Sequence, residues 1–142
     1  MEKIKVLFIC VHNSARSQMA EELLKRLGKD NFHVESAGLE PGKLNPIVVD
    51  AMEKIGYDIS HKETNSVFEY FKEGRIYNYV IKVCAESQGE RCPIFPGITK
   101  TIQWSLEDPS SFKGSYKEKL AKTIVVRDQI KSKVLSFIED VK

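Results

Sequence analysis

Residues 5–17 read KVLFICVHNSARS, and this stretch decides the fold. Lys5 to Cys10 is an almost unbroken apolar run of strand length. Apolar side chains at successive positions point to both sides of a strand, so the run predicts a strand covered on both faces, as in a parallel sheet. Helical spacing follows at Met19, Ala20, Leu23, Leu24 and Leu27, and Gly28 stops it. Glu21 and Glu22 are expected early in that helix and Lys25 and Arg26 late, in keeping with the helix dipole. A buried strand that leads through a short loop into a helix is the opening of a β–α unit.

The alternation continues outward from this unit. Phe32 to Ser36 predicts a short second strand, broken at Ser36-Ala37-Gly38. Asn45-Pro46 pairs an N-cap residue with proline at the first helical position. Val48, Ala51, Met52 and Ile55 then share one face, and Gly56 closes that helix. Thr64 to Lys72 predicts a shorter helix carrying Val67, Phe68 and Phe71. Tyr79 to Val83 is a third buried strand, and Ile102, Trp104 and Leu106 alternate in a fourth. A last helix spans about Tyr116 to Glu139, with Leu120, Ile124, Val134 and Ile138 facing the core. Alternating strands and helices predict an α/β fold of three layers, a parallel sheet with helices on both faces. Functional groups are expected beyond the carboxyl ends of its strands.

The chain has 142 residues, the length of one domain covering residues 1–142. Its 22 basic and 20 acidic residues nearly cancel. That balance, without a basic run, argues against a nucleic-acid partner. No apolar run approaches the ~20 residues that a membrane span needs, and Val6 to Val11 is too short for a signal-peptide core. A cytoplasmic protein without a membrane partner is expected. Nothing in the sequence calls for more than a monomer. Three cysteines, Cys10, Cys84 and Cys92, do not form a disulfide framework in such a protein. They leave buried inert thiols, metal ligands or redox chemistry.

The loop after the first strand carries the sharpest chemistry. Cys10 ends the strand, five residues follow, and Arg16-Ser17 opens the helix. A loop of this length can curl so that the backbone N–H groups of Val11, His12, Asn13, Ser14 and Ala15 point inward. The helix N-terminus adds positive potential, and Arg16 adds a planar fork of donors. The result is a cradle for a tetrahedral oxyanion, made by residues 11–17 with the Cys10 sulfur at its base. The same field is expected to lower the Cys10 pKa. The Ser17 hydroxyl is placed to donate to the thiolate, and Asn13 tolerates a left-handed conformation. A cysteine at a strand end is ordinarily a small hydrophobe, and Cys-x5-Arg occurs by chance. Placement between a buried strand and a helix start gives the motif its weight. His12 lies in the cradle without a catalytic assignment, His33 and His61 read as surface residues, and Trp104 reads as core or a loop anchor.

Residues 10–22, CVHNSARSQMAEE, closely resemble the active-site segment of thioredoxin-coupled arsenate reductases of the low-molecular-weight tyrosine phosphatase fold. Ser36-Ala37-Gly38, Leu44-Asn45-Pro46, Cys84 to Pro93 and Trp104 to Pro109 resemble the later motifs of that family, so the likeness covers nearly the whole chain. It implies a four-stranded sheet of order 2-1-3-4. The first and third strands are then neighbours about 4.8 Å apart, and Cys10 and Cys84 emerge at the same sheet edge, within reach of a disulfide after loop movement. The resemblance implies that Cys10 is the nucleophile, that Arg16 helps hold the oxyanion, and that Asp108, before Pro109, is the general acid. It further implies a relay through Cys10, Cys84 and Cys92, with arsenate as substrate, phosphate or sulfate as competing oxyanions, no bound cofactor, and electrons from thioredoxin. Two departures stand out. Seven residues separate Cys84 from Cys92 where six are usual, and position 15 is alanine where some relatives have cysteine.

Two other readings use the same residues. A low-molecular-weight tyrosine phosphatase would need Cys10, Arg16 and Asp108 alone. Ser17-Gln18, the Cys84/Cys92 pair, and Ser110 where such phosphatases often carry an aromatic favour the reductase. A reductase drawing on a small thiol would dispense with Cys84 and Cys92. A zinc site lacks the close C-x2-4-C pairs such sites use, so no metal ligand is assigned.

Overall fold

The computed structural model describes residues 3–84 and 100–141. Four parallel strands form one sheet of order β2-β1-β3-β4: β1 is Ile4–Cys10, β2 Phe32–Gly38, β3 Tyr79–Lys82 and β4 Lys100–Gln103. The helices are α1, Arg16–Gly28; α2, Pro46–Glu53; α3, Val67–Lys72; and α4, Tyr116–Asp140. The expected sheet order is the observed one.

β1 lies at the centre, between β2 and β3, and its alternation sorts the two layers. Val6, Phe8 and Cys10 face the larger core with α1, α2 and α4, whereas Leu7 and Ile9 face Val67 of α3, Ala37, Tyr77 and Val80. Phe8 packs on Trp104 at 5.6 Å between ring centroids, and Phe137 of α4 meets Tyr79 edge-on at 5.2 Å. Helices therefore cover both faces, and the apolar strands are the consequence.

Helix starts follow local chemistry. Asn45 caps α2 through Ile47 N–H at 2.9 Å, with Pro46 at the first position. Ser66 caps α3 and Ser115 caps α4, the latter in a reciprocal capping box with Glu118. α1 alone among these four has no side-chain cap at its N-terminus, where Ala15 stands.

Several boundaries differ from expectation, each for a physical reason. β2 runs on to Gly38 because Ser36, Ala37 and Gly38 stay in register with Phe8, Ile9 and Cys10. α3 begins at Val67 rather than Thr64, because residues 64 and 65 bond elsewhere: Thr64 donates to Gly42 C=O at 2.6 Å, and Asn65 N–H to Asn13 Oδ1 at 2.8 Å. β4 stops at Gln103, so Trp104 and Leu106 are not strand residues. They stay buried because Trp104 N–H still reaches Lys82 C=O at 2.8 Å and carries the chain inward past the end of β3. Glu21 and Glu22 lie in the middle of α1, not in its first turn, and are buried and paired instead of serving the dipole.

Candidate active site

The loop from Val11 to Ala15 is shaped from outside by a second segment. The carbonyls of Cys10, Val11, His12 and Ser14 accept N–H groups from Leu39, Glu40, Gly42 and Asn45 at 2.8–3.1 Å. In a trans peptide the C=O of one residue and the N–H of the next point in opposite directions. Carbonyls turned out toward residues 39–45 therefore turn the N–H groups of Val11, His12, Asn13 and Ala15 inward. The Asn13 N–H demonstrates the sense, donating to Cys10 Sγ at 3.0 Å. Asn13 holds φ at 56°, the left-handed turn that closes the loop. Gly38 makes this packing possible: a Cβ there would lie 2.8 Å from Asn13 N and Val11 O.

Cys10 ends β1 at the base of the loop and is almost fully buried. Ser17 Oγ lies 2.9 Å from its sulfur. That hydroxyl also accepts from Asn13 Nδ2 at 2.7 Å, and across the contact with Cys10 either the thiol or the hydroxyl can donate. Burial pushes the Cys10 thiol up; the Ser17 hydroxyl, the Arg16 charge and the Asn13 and Ser17 N–H groups pull it down, and burial prevails. The expected lowering is thus overturned: the closed pocket strips water from the sulfur faster than its donors compensate.

Arg16, the first residue of α1, is buried. Its guanidinium donates to Leu106 C=O at 2.9 Å and stands 3.6 Å from Asp108 Oδ2. Asp108 Oδ1 meanwhile accepts Ser110 N–H at 2.9 Å, capping the 3-10 turn Pro109–Ser111. One carboxylate oxygen fixes the loop and the other faces the pocket. Cys10, His12, Ser14, Ala15, Arg16 and Asp108 line a single small pocket at the carboxyl end of β1. His12 is turned aside, its Nδ1 2.9 Å from Glu40 O.

Cys84 follows β3. Ile9 pairs with Lys82, so Cys84 lies one residue beyond the position opposite Cys10. It is fully buried, in the same apolar cluster as Cys10, and both are thiols. Its Sγ points at Ile9 C=O, 3.8 Å away. Cys92 lies outside the described residues. The structure brings Cys10, Arg16, Asp108 and the loop 11–17 together, with Cys84 beside them.

A polar layer beneath the loop was not read from the sequence. Gln18 Nε2 ties Asn13 C=O at 3.0 Å to Glu63 C=O at 3.0 Å. Glu21 accepts Ser36 Oγ at 2.5 Å and is flanked by Lys62 at 2.8 Å and Lys25 at 2.6 Å. Burial pushes the Glu21 carboxyl up, but the Lys62 charge and the hydrogen bonds from Lys25, Lys62 and Ser36 outweigh it and hold it below the usual range. Two acidic residues on the inward side of α1 were the only signal in the sequence. Among the described residues no cluster of three or more His, Cys, Asp or Glu could hold a metal ion, and no helix is long and apolar enough to cross a membrane.

The sequence profile of the low molecular weight phosphotyrosine protein phosphatases matches residues 5–142. The chain belongs to that family. Within it, the chain is 35% identical to an arsenate reductase of Bacillus subtilis strain 168 over 142 residues, 98% of each. It is similar to the solved structure of an arsenate reductase in the phosphate binding state, with a TM-score of 0.75, 31% identity, and 98% and 99% of the two chains covered. It is also similar to the thioredoxin-dependent arsenate reductase of Corynebacterium glutamicum, with a TM-score of 0.70 and 25% identity, over 99% of this chain and 62% of that one. The family fold is thus shared over nearly the full chain.

Proposed function

We propose that this protein reduces arsenate to arsenite and is regenerated by thioredoxin. One observation carries the proposal: a second buried thiol, Cys84, stands in the same apolar cluster as Cys10, beside a loop built to hold a tetrahedral oxyanion. A phosphatase of this fold needs the loop but not the second thiol. The similarity to arsenate reductases, one with phosphate bound and one dependent on thioredoxin, supports the reading.

Arsenate is held by the inward N–H groups of residues 11–17 and by the Arg16 guanidinium. Cys10 gives up its proton and attacks arsenic, and Asp108 gives a proton to the departing oxygen, which leaves as water. Cys84 then attacks the Cys10 sulfur. An S–S bond forms, the S–As bond breaks, and its electron pair stays with arsenic. Arsenic gains two electrons, the two sulfurs lose two, and arsenite leaves. Cys92 attacks Cys84 and frees Cys10, leaving a Cys84–Cys92 disulfide for thioredoxin. Each exchange needs a thiolate and an accessible leaving sulfur. Phosphate and sulfate fit the same cradle and compete.

The test is NADPH consumption with thioredoxin, thioredoxin reductase and arsenate. Sustained oxidation that needs every component is expected. Turnover by Cys84→Ser with a small thiol alone would replace thioredoxin as the donor. Phosphate-ester hydrolysis without any arsenate reduction would replace the reductase with a phosphatase.

A further inference from the structure

We infer that Gln103 is a positioning residue that aims the Cys84 thiol at Cys10. The inference rests on the proposal that Cys84 is the thiol which attacks Cys10. The backbone ladder around β3 runs through its final residues. On the β1 side Val83 N–H donates to Ile9 C=O at 2.9 Å. On the β4 side Trp104 N–H donates to Lys82 C=O at 2.8 Å. The Cys84 carbonyl lies beyond both. Gln103, the last residue of β4, reaches past the end of the ladder, and its Nε2 donates to Cys84 C=O at 2.6 Å.

This side chain thus extends the sheet by one peptide, at the peptide that carries the second thiol. Its consequence is positional. Fixing the Cys84 peptide fixes where its side chain starts, in the core shared with Cys10, where Sγ lies 3.8 Å from Ile9 C=O. Ile9 C=O is one residue before Cys10 along β1. Without the tie the Cys84 peptide loses its anchor to Gln103, and the sulfur samples positions from which it cannot attack. Cys10 itself has no bond to Gln103, so its own chemistry is independent of the tie.

The experiment compares the wild type with Gln103→Glu and Gln103→Leu. Gln103→Glu keeps the shape and removes the donor. Two rates are read from the reduced full-length chain. The first is iodoacetamide alkylation of Cys10, with its protection by inorganic phosphate. The second is formation of disulfide after mixing with excess arsenate, followed by acid quench and mass spectrometry. Both variants are expected to form disulfide about fivefold more slowly, the size one hydrogen bond carries, with Cys10 alkylation and phosphate protection unchanged. Equal disulfide rates in all three proteins, or parallel losses in both readouts, would overturn the inference. A wild type that forms no disulfide with arsenate would instead refute the proposed function on which it rests.

Discussion

Gly38→Ala tests the claim that residues 38–45 shape the oxyanion loop. The added Cβ would meet three backbone atoms, Asn13 N at 2.8 Å, Val11 O at 2.8 Å and the His12 carbonyl carbon at 2.9 Å. Ordinary Cβ contacts begin at 3.4 Å, so something must move by roughly 0.6 Å (3.4 − 2.8). Gly38 cannot retreat cheaply. Its N–H bonds Asn65 C=O at 2.8 Å, and it stands in register with Cys10. The loop must therefore lift, which turns its N–H groups away from their common centre. Overpacking of this kind costs about 1–3 kcal/mol, and in a chain of this size each kcal/mol lowers Tm by about 3 °C. A hydrogen bond to a charged group carries about 1.5–3 kcal/mol, so turning even one loop N–H away from the anion is expected to cost about tenfold or more in affinity. The assay is phosphate affinity by calorimetry beside a thermal melt. We expect phosphate Kd to rise at least about tenfold and Tm to fall by about 3–9 °C. A variant with Kd within twofold of wild type and an unchanged Tm would refute the bracing argument.

Three further outcomes follow from the same geometry. Arg16→Lys keeps the charge but loses the fork that spans Leu106 C=O and Asp108; phosphate binding should weaken about tenfold, and equal affinity would contradict the assignment. The Cys10 thiol is raised above its ordinary value by burial, so its alkylation rate in oxyanion-free protein should climb through pH 9 without levelling off; a plateau below pH 8 would contradict this. Glu21 is held below its ordinary carboxylate value, so its contribution to stability is present above about pH 4.5 and is lost as pH falls through the folded value. In Lys62→Met burial loses its main opponent, the Glu21 carboxyl rises, and Tm should begin to fall at higher pH than in wild type. Superimposable profiles of Tm against pH would show that Lys62 does not hold this charge.

The parts legible in the sequence are those encoded within one element. The apolar run Lys5–Cys10 announces a strand covered on both sides, because each of its side chains needs a dry partner. Asn45-Pro46 marks a helix start through capping chemistry alone. The Cys10–Ser17 motif is legible because strand, loop and helix start are contiguous. Its bracing is not. Asn65 reaches Asn13 across 52 positions and Gln103 reaches Cys84 across 19, and no periodicity encodes such contacts. Trp104 and Leu106 show the same limit from the other side. Their alternation reads as strand, yet what it reports is burial, which continues after the ladder has ended. The direction of the Cys10 shift is not legible, because the loop's donors are written in the sequence and the depth of the pocket is not. The Cys84–Cys92 spacing concerns a segment outside the described residues.

The central claim is that the protein's own thiols supply both electrons to arsenic. The direct measurement is a single turnover: fully reduced protein mixed with arsenate and no other reductant, with arsenite and disulfides determined after quenching. One arsenite per chain, a Cys84–Cys92 disulfide and a restored Cys10 thiol are expected. Folded, fully reduced protein that releases no arsenite, or a Cys84→Ser variant that releases as much as wild type, would contradict it.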